Sequence, residues 1–252
     1  MDINLAYKIS ITILLFSTIL SSLELIRTPK LFLHFLYPTT SKKNKHEWWL
    51  LIQSLKVVLV ILTVISFYKL PAPFFYVTFI TLTLLEFYSQ RLRKIGKDGS
   101  DQLRLLSLLG VSFCFILDAH LSKLVPLIFI GMQVLLGYTT SGLVKVFSTH
   151  WRKGDVLSGI LSTNGYGFPR FATMLKKSPT LEKSLTYSAM AIMLSVPICF
   201  LLPYPEPILI SLFLVFSFHF GTAILMGLND FLFTFPVAFP GIIVLHSIIF
   251  NY

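Results

Sequence analysis

The residues whose chemistry stands out in this sequence are ionisable and hydroxylated side chains within long apolar runs. Tyr138, Ser141 or Gly142, and Lys145 follow one another at intervals of three or four residues, so they share one face of a helix. Small residues such as Ser141 and Gly142 let another helix or a ligand approach this face closely. Lys145 lies near the end of its run, where it either extends its ammonium to the headgroups or faces inward as part of a site.

His219 lies near the middle of a later apolar run and shares a helical face with Ala223 and Gly227. A buried histidine is either a packing residue with satisfied ring nitrogens or a functional group. An imidazole without a partner is costly where no water can reach it. His219 is therefore a candidate site residue.

Lys56 and Glu86 are charged residues in two apolar runs that are joined by a short connection at 69–73. A tight hairpin would let their side chains meet, either as a structural ion pair or as part of a site. Judged by their distance from the ends of their runs, five polar residues lie in or close to the same half of the membrane. They would form a polar pocket if the helices bring them together laterally. They are Lys56, Glu86, Lys145, His219 and Asn229.

The elements that must hold these residues are transmembrane helices. Of the 252 residues 55% are hydrophobic and 13% are charged, about half the charged share of an ordinary soluble domain. The sequence therefore predicts an all-α fold, a polytopic bundle of about seven or eight transmembrane spans forming one integral membrane domain, 1–252. The apolar runs are 4–26, 48–69, 72–90, 103–119, 124–147, 184–202, 207–228 and, interrupted by Pro236 and Pro240, 231–250.

Basic residues are concentrated in alternate loops. The loops after the first, third and fifth runs contain 15 of the 21 lysines and arginines, whereas the intervening loops contain Lys69 and Lys123. Because basic loops stay in the cytoplasm, we expect the N-terminus to lie outside. The net charge of +10 is then explained by contact with anionic lipid, and no nucleic-acid partner is expected.

The segment from Tyr138 to Leu157 resembles a signature of the HTTM family, the membrane-domain relatives of vitamin K-dependent gamma-glutamyl carboxylase. The matching positions are Tyr138, Ser141, Gly142, Lys145, Trp151, Gly154 and Leu157. Three further stretches resemble family features: Asp98–Asp101, Asp118–His120 and Phe218–Phe220. The resemblance covers roughly residues 98–240.

This resemblance implies a role for each candidate residue. Lys145 would be the base that takes a proton from a quinol, and His219 and His120 would assist it. Tyr138, Gly142 and Trp151 would contact the cofactor, a quinone or quinol. No His, Cys or carboxylate pair has the spacing of metal ligands on one helical face, so no metal site is predicted.

Three hypotheses for function follow from the sequence. The first, which rests on the resemblance, is a bacterial inner-membrane protein that modifies or matures a peptide, similar to toxin maturation proteins of the sporulation-delaying type. The second is a non-enzymatic membrane subunit or scaffold that binds lipid, quinone or another membrane subunit. The third is a small transporter, for which the broken last run is the main indication.

Overall fold

A computed structural model describes residues 1–27, 42–93, 97–163 and 167–252. Within these ranges the regular structure is helical and contains no strand, which confirms the predicted all-α fold class. Two 3₁₀ turns cover Cys114–Ile116 and Phe235–Ala238. The α-helices are α1 (Ile3–Arg27), α2 (Lys42–Lys69), α3 (Ala72–Leu92), α4 (Gly99–Phe113), α5 (Leu121–Phe147), α6 (Thr149–Lys153), α7 (Val156–Leu161), α8 (Pro169–Lys177), α9 (Pro179–Phe200), α10 (Pro205–Met226), α11 (Asn229–Thr234) and α12 (Phe239–Phe250).

Seven helical segments of the described chain are long and apolar enough to cross a membrane. Seven of the eight predicted runs coincide with them, including the last, which forms a helical path over Asn229–Phe250 with a 3₁₀ turn at Pro236. These segments establish an integral membrane protein in a lipid bilayer. They are Ile3–Arg27, Glu47–Lys69, Ala72–Leu92, Leu121–Phe147, Pro179–Phe200, Pro205–Met226 and Asn229–Phe250.

The predicted span 103–119 is not among these seven segments of spanning length, and its crossing stays a prediction. Its helix α4 has 15 residues and rises about 22 Å, which is shorter than the ~30 Å hydrocarbon core. α4 begins early because Asp98 caps it: its carboxylate accepts the backbone N–H groups of Ser100 and Asp101. Asp101 and Arg104 then lie in its first turns.

The chain forms two compact units, which we name by position. The N-terminal unit contains Asp2–Ile130 and Phe233–Gly241. The C-terminal unit contains Gly131–Leu232 and Ile242–Tyr252, together with Met1. The helix α5 contributes to both units: its residues up to Ile130 belong to the N-terminal unit, and those from Gly131 belong to the C-terminal unit.

Small residues and hydroxyl groups let helices approach closely in the N-terminal unit. The hydroxyl of Ser10 in α1 donates to the carbonyl oxygen of Val237, in the 3₁₀ turn, at 2.9 Å. A side chain at Gly241 would place its Cβ 2.1 Å from the carbonyl oxygen of Leu127. A proline-interrupted span is tolerated where neighbours contact its backbone in this way.

Three short helices connect the spans α5 and α9 in the C-terminal unit. Leu161 of α7 and the residues Ala172 and Leu175 of α8 form a buried apolar cluster. Leu185 of α9 and Met226 of α10 pack against this cluster. The short helices are thereby held against the ends of two spans, and they form part of the wall of the candidate site.

Candidate functional site

The C-terminal unit contains a partly open cavity of about 410 Å³. This volume lies within the range of ligand pockets in proteins, and the lining is mostly apolar. Ser188, His219, Thr222 and Trp151 are the lining residues that carry polar groups, but the surface of the cavity is almost entirely apolar. The remaining lining residues are Leu157, Ile160, Leu161, Phe171, Leu185, Ala189, Ile192, Met193, Phe218, Gly221, Leu225, Met226, Leu228 and Phe231.

His219 forms part of this wall and is held by Tyr138. The phenol oxygen of Tyr138 lies 2.9 Å from Nε2 of His219, and both side chains are buried. The rings of Phe218 and Phe231 lie 5.5 and 5.9 Å from the imidazole centroid. Tyr138 itself does not line the cavity. The structure therefore brings two of the predicted site residues together, one at the wall and one behind it.

Lys145 is connected to the cavity through Trp151. Its ammonium donates to the hydroxyl of Ser141 at 2.6 Å and lies 5.0 Å from the centre of the Trp151 ring. Lys145 is half-buried and is not among the lining residues, whereas Trp151 is. The lysine thus contacts a residue of the wall and not the interior of the cavity.

Gly142 faces a neighbouring helix. A Cβ at this position would lie 2.5 Å from Cδ2 of Leu194 in α9. A small residue at this position was predicted to allow close approach of either a helix or a ligand. In the structure it allows close approach of a helix. Gly142 does not line the cavity.

His120 is placed apart from the other predicted site residues. It is exposed and belongs to the N-terminal unit. The carboxylate of Asp118 accepts the backbone N–H groups of His120 and Leu121 at 2.9 and 3.0 Å. These donors, Leu121 first, hold the pKa of Asp118 below its ordinary value. Asp118 therefore caps the start of α5, and His120 is not part of the cavity wall.

Lys56 and Glu86 form the predicted ion pair, with Nζ 2.5 Å from Oε2 and both side chains buried. This pair belongs to the N-terminal unit, whereas Lys145 and His219 belong to the C-terminal unit, and the convergence of the five polar residues stays a prediction. Two side-chain amides also contact the ion pair. The Lys56 ammonium donates to the amide oxygen of Gln53, and the amide nitrogen of Gln90 donates to the Glu86 carboxylate.

The ion pair belongs to a larger buried charge cluster that the sequence did not predict. Arg104 lies 3.4 Å from Glu86 and 2.5 Å from Asp101, and Asp101 also pairs with Arg93. All of these side chains are buried. One residue in the sequence indicates this cluster: Arg104 is a charged side chain inside the apolar run 103–119.

The fold and the cavity together define the class of this molecule: an all-α integral membrane protein with an apolar ligand-sized cavity in its C-terminal unit. In the part of the chain that the structure describes, no three His, Cys, Asp or Glu residues are placed to hold a metal ion. No family model matches the chain, and no curated protein or solved structure matches it either. The resemblance to the HTTM family stays a prediction from the sequence motif.

Proposed function

We propose that the C-terminal unit binds an apolar ligand with a planar, hydrogen-bonding head, of the quinone or quinol class. The observation that carries this proposal is the cavity of about 410 Å³ with His219 at its wall. Apolar walls with a few polar groups are typical of sites for such ligands. The ligand would be supplied by the bilayer, where quinones dissolve.

The aromatic lining favours a planar head over a plain acyl chain. Four aromatic rings line the cavity, those of Trp151, Phe171, Phe218 and Phe231. Such rings stack on a conjugated head and contribute about 0.5–1.5 kcal/mol per pair beyond the buried area. In this proposal the carbonyl of a quinone or the hydroxyl of a quinol lies against the His219 imidazole, which the Tyr138 phenol holds in place.

A cavity-filling substitution tests this function. Gly221 lines the cavity, and a Cβ there would meet nothing within 4 Å. Gly221→Phe should therefore place its ring in the cavity and weaken binding of a short-chain quinone by about tenfold or more. Gly137→Phe is the matched control, because Gly137 is also helical, has equally open space at its Cβ and does not line the cavity.

Binding is measured by quenching of tryptophan fluorescence in the purified protein, with a Trp151→Phe variant to identify the responding indole. Saturable quenching that survives Gly137→Phe and is lost with Gly221→Phe supports the proposal. Equal binding by both phenylalanine variants contradicts it.

A peptide-modifying enzyme is the second candidate function. The specific observation in its favour is the contact of the Lys145 ammonium with Trp151, whose ring lines the cavity. A lysine one side chain away from a bound quinol would reach its hydroxyl after a local rearrangement of Trp151. In this hypothesis the neutral amine accepts the hydroxyl proton, and the resulting quinolate is the reactive species.

A further inference from the structure

A second feature of the C-terminal unit is a strongly basic surface on the segment that connects α5 to α9. Six lysines and arginines of this segment are exposed. Asp155 is the one exposed acidic residue in its described part, 148–163 and 167–183. The basic residues are Arg152, Lys153, Arg170, Lys176, Lys177 and Lys183.

The other acidic side chain of the segment does not neutralise this surface. Glu182 is buried, and its carboxylate accepts the backbone N–H of Ser158 at 2.7 Å. It therefore ties α7 to the start of α9, away from the exposed lysines.

The helix α8 has the amphipathic character of a helix that lies in a membrane interface. Ala172 and Leu175 point into the buried cluster, whereas Met174 and the preceding Phe168 are exposed. Phe168 lies next to Arg170 at the start of α8, and Met174 lies next to Lys176 and Lys177 at its end, so both ends of the helix carry an exposed apolar side chain beside cationic ones. Interfacial helices combine these two kinds of group to contact acyl chains and headgroups at once.

Chain connectivity places the whole segment at the membrane surface. It begins directly after α5, which ends at Phe147, and it finishes in the first turns of α9, which begins at Pro179. Both helices have spanning length, so the basic residues between them lie on one side of the bilayer at headgroup level. Lysine and arginine near an anionic membrane surface each contribute about 1 kcal/mol of attraction.

We propose that this surface, formed by α8 with the flanking residues 152–153 and 183, binds the headgroups of anionic phospholipids. The lipid phosphate is recognised by the lysine and arginine side chains, and Met174 and Phe168 contact the adjoining acyl region. None of the six basic residues lines the cavity, although Phe171 of α8 does.

The test uses purified full-length protein and short-chain lipids. We expect dioctanoyl phosphatidylglycerol to bind more tightly than dioctanoyl phosphatidylcholine. Lys176→Gln combined with Lys177→Gln should weaken phosphatidylglycerol binding by roughly thirtyfold at low salt, at about fivefold per lysine. Lys176→Arg combined with Lys177→Arg should bind normally, because the charge is retained.

Lys8→Gln combined with Lys69→Gln is the matched control, since both lysines are exposed and lie in the N-terminal unit. Equal affinity for the two lipids, or an equal loss in the control, overturns the proposal. A competition experiment with sodium phosphate distinguishes a surface that binds lipid from a site that binds free phosphate. Displacement of the lipid by millimolar phosphate at constant ionic strength would show an ion site and would also overturn it.

Discussion

Lys145 is the residue at which the two candidate functions differ most. A headgroup-directed or purely structural ammonium keeps its charge, and arginine serves equally well in its contacts with Ser141 and Trp151. A base must be able to lose its proton, and arginine stays protonated at every accessible pH. The hydrogen bond to Ser141 is thus compatible with both roles, and substitution separates them.

We predict that Lys145→Arg folds normally and keeps its stability within about 0.5 kcal/mol. Lys145→Met loses the contact with the Trp151 ring and the hydrogen bond to Ser141, and we expect a loss of about 1–2 kcal/mol. Detergent unfolding measures both changes. The enzyme hypothesis further predicts that the arginine variant fails to complement a strain that lacks the gene; full complementation would remove Lys145 as a base.

Glu86 contacts both Lys56 and Arg104 in the buried charge cluster. We predict that Glu86→Gln lowers the free energy of unfolding by about 3–5 kcal/mol, since it leaves the buried ammonium of Lys56 without its carboxylate, whereas Arg104 keeps Asp101. Lys56→Met should cost less, because Glu86 keeps Arg104 as a partner. Adding Lys56→Met to Glu86→Gln should recover part of the loss.

Unfolding of the single and double variants in detergent gives the coupling energy of this pair. Lys69→Met is the control, because Lys69 is exposed, and its effect should stay within about 0.5 kcal/mol. Additive losses in the double variant would show that the pair contributes nothing beyond its separate residues.

Among the elements, α4 decides the topology of the chain. The basic loops before α4 and after α5, around Lys97 and around 152–183, are expected to be cytoplasmic, and that requires two crossings between them. α5 supplies one crossing, so α4 must supply the other despite its 15 residues. The 3₁₀ turn Cys114–Ile116 extends its helical path to about 28 Å, close to the hydrocarbon thickness.

We therefore predict that Lys97 and His120, which lie on either side of α4 and are exposed, face opposite sides of the membrane. Single cysteines at these positions, in a chain whose Cys114 and Cys199 are replaced, should differ in labelling by an impermeant maleimide. A cysteine at Ser178 should label like the one at Lys97. Equal labelling at Lys97 and His120 would contradict the crossing of α4.

The helices themselves were largely predictable from the apolar runs, as the run 72–90 and the helix Ala72–Leu92 illustrate. The hairpin between α2 and α3 also made the Lys56–Glu86 pair predictable, because the short connection fixes which residues oppose each other. The start of α4 was misplaced because its polar first turn, which is buried in the charge cluster, does not look like part of a span.

At the scale of the whole molecule, the cavity is the feature that sequence reasoning could not supply. Its lining comes from α6, α7, α8, α9, α10 and α11, and most of it consists of residues such as Leu157, Ile192 and Leu225. An apolar side chain that faces a cavity and one that faces lipid have the same signature in a sequence. Among the lining residues only His219 and Trp151 were predicted as site residues, whereas Leu157 and Phe218 were named only as matches to the family motifs.

The central claim is that the cavity of the C-terminal unit binds a quinone-type ligand, and photo-crosslinking tests it most directly. A short-chain azidoquinone is added to the purified protein, and the adducts are mapped by mass spectrometry with and without excess unlabelled quinone. We predict protected adducts on cavity residues such as Met193, Met226 and Phe231. Adducts confined to lipid-exposed positions such as Ile198 and Ile210, unchanged by the competitor, would contradict the claim.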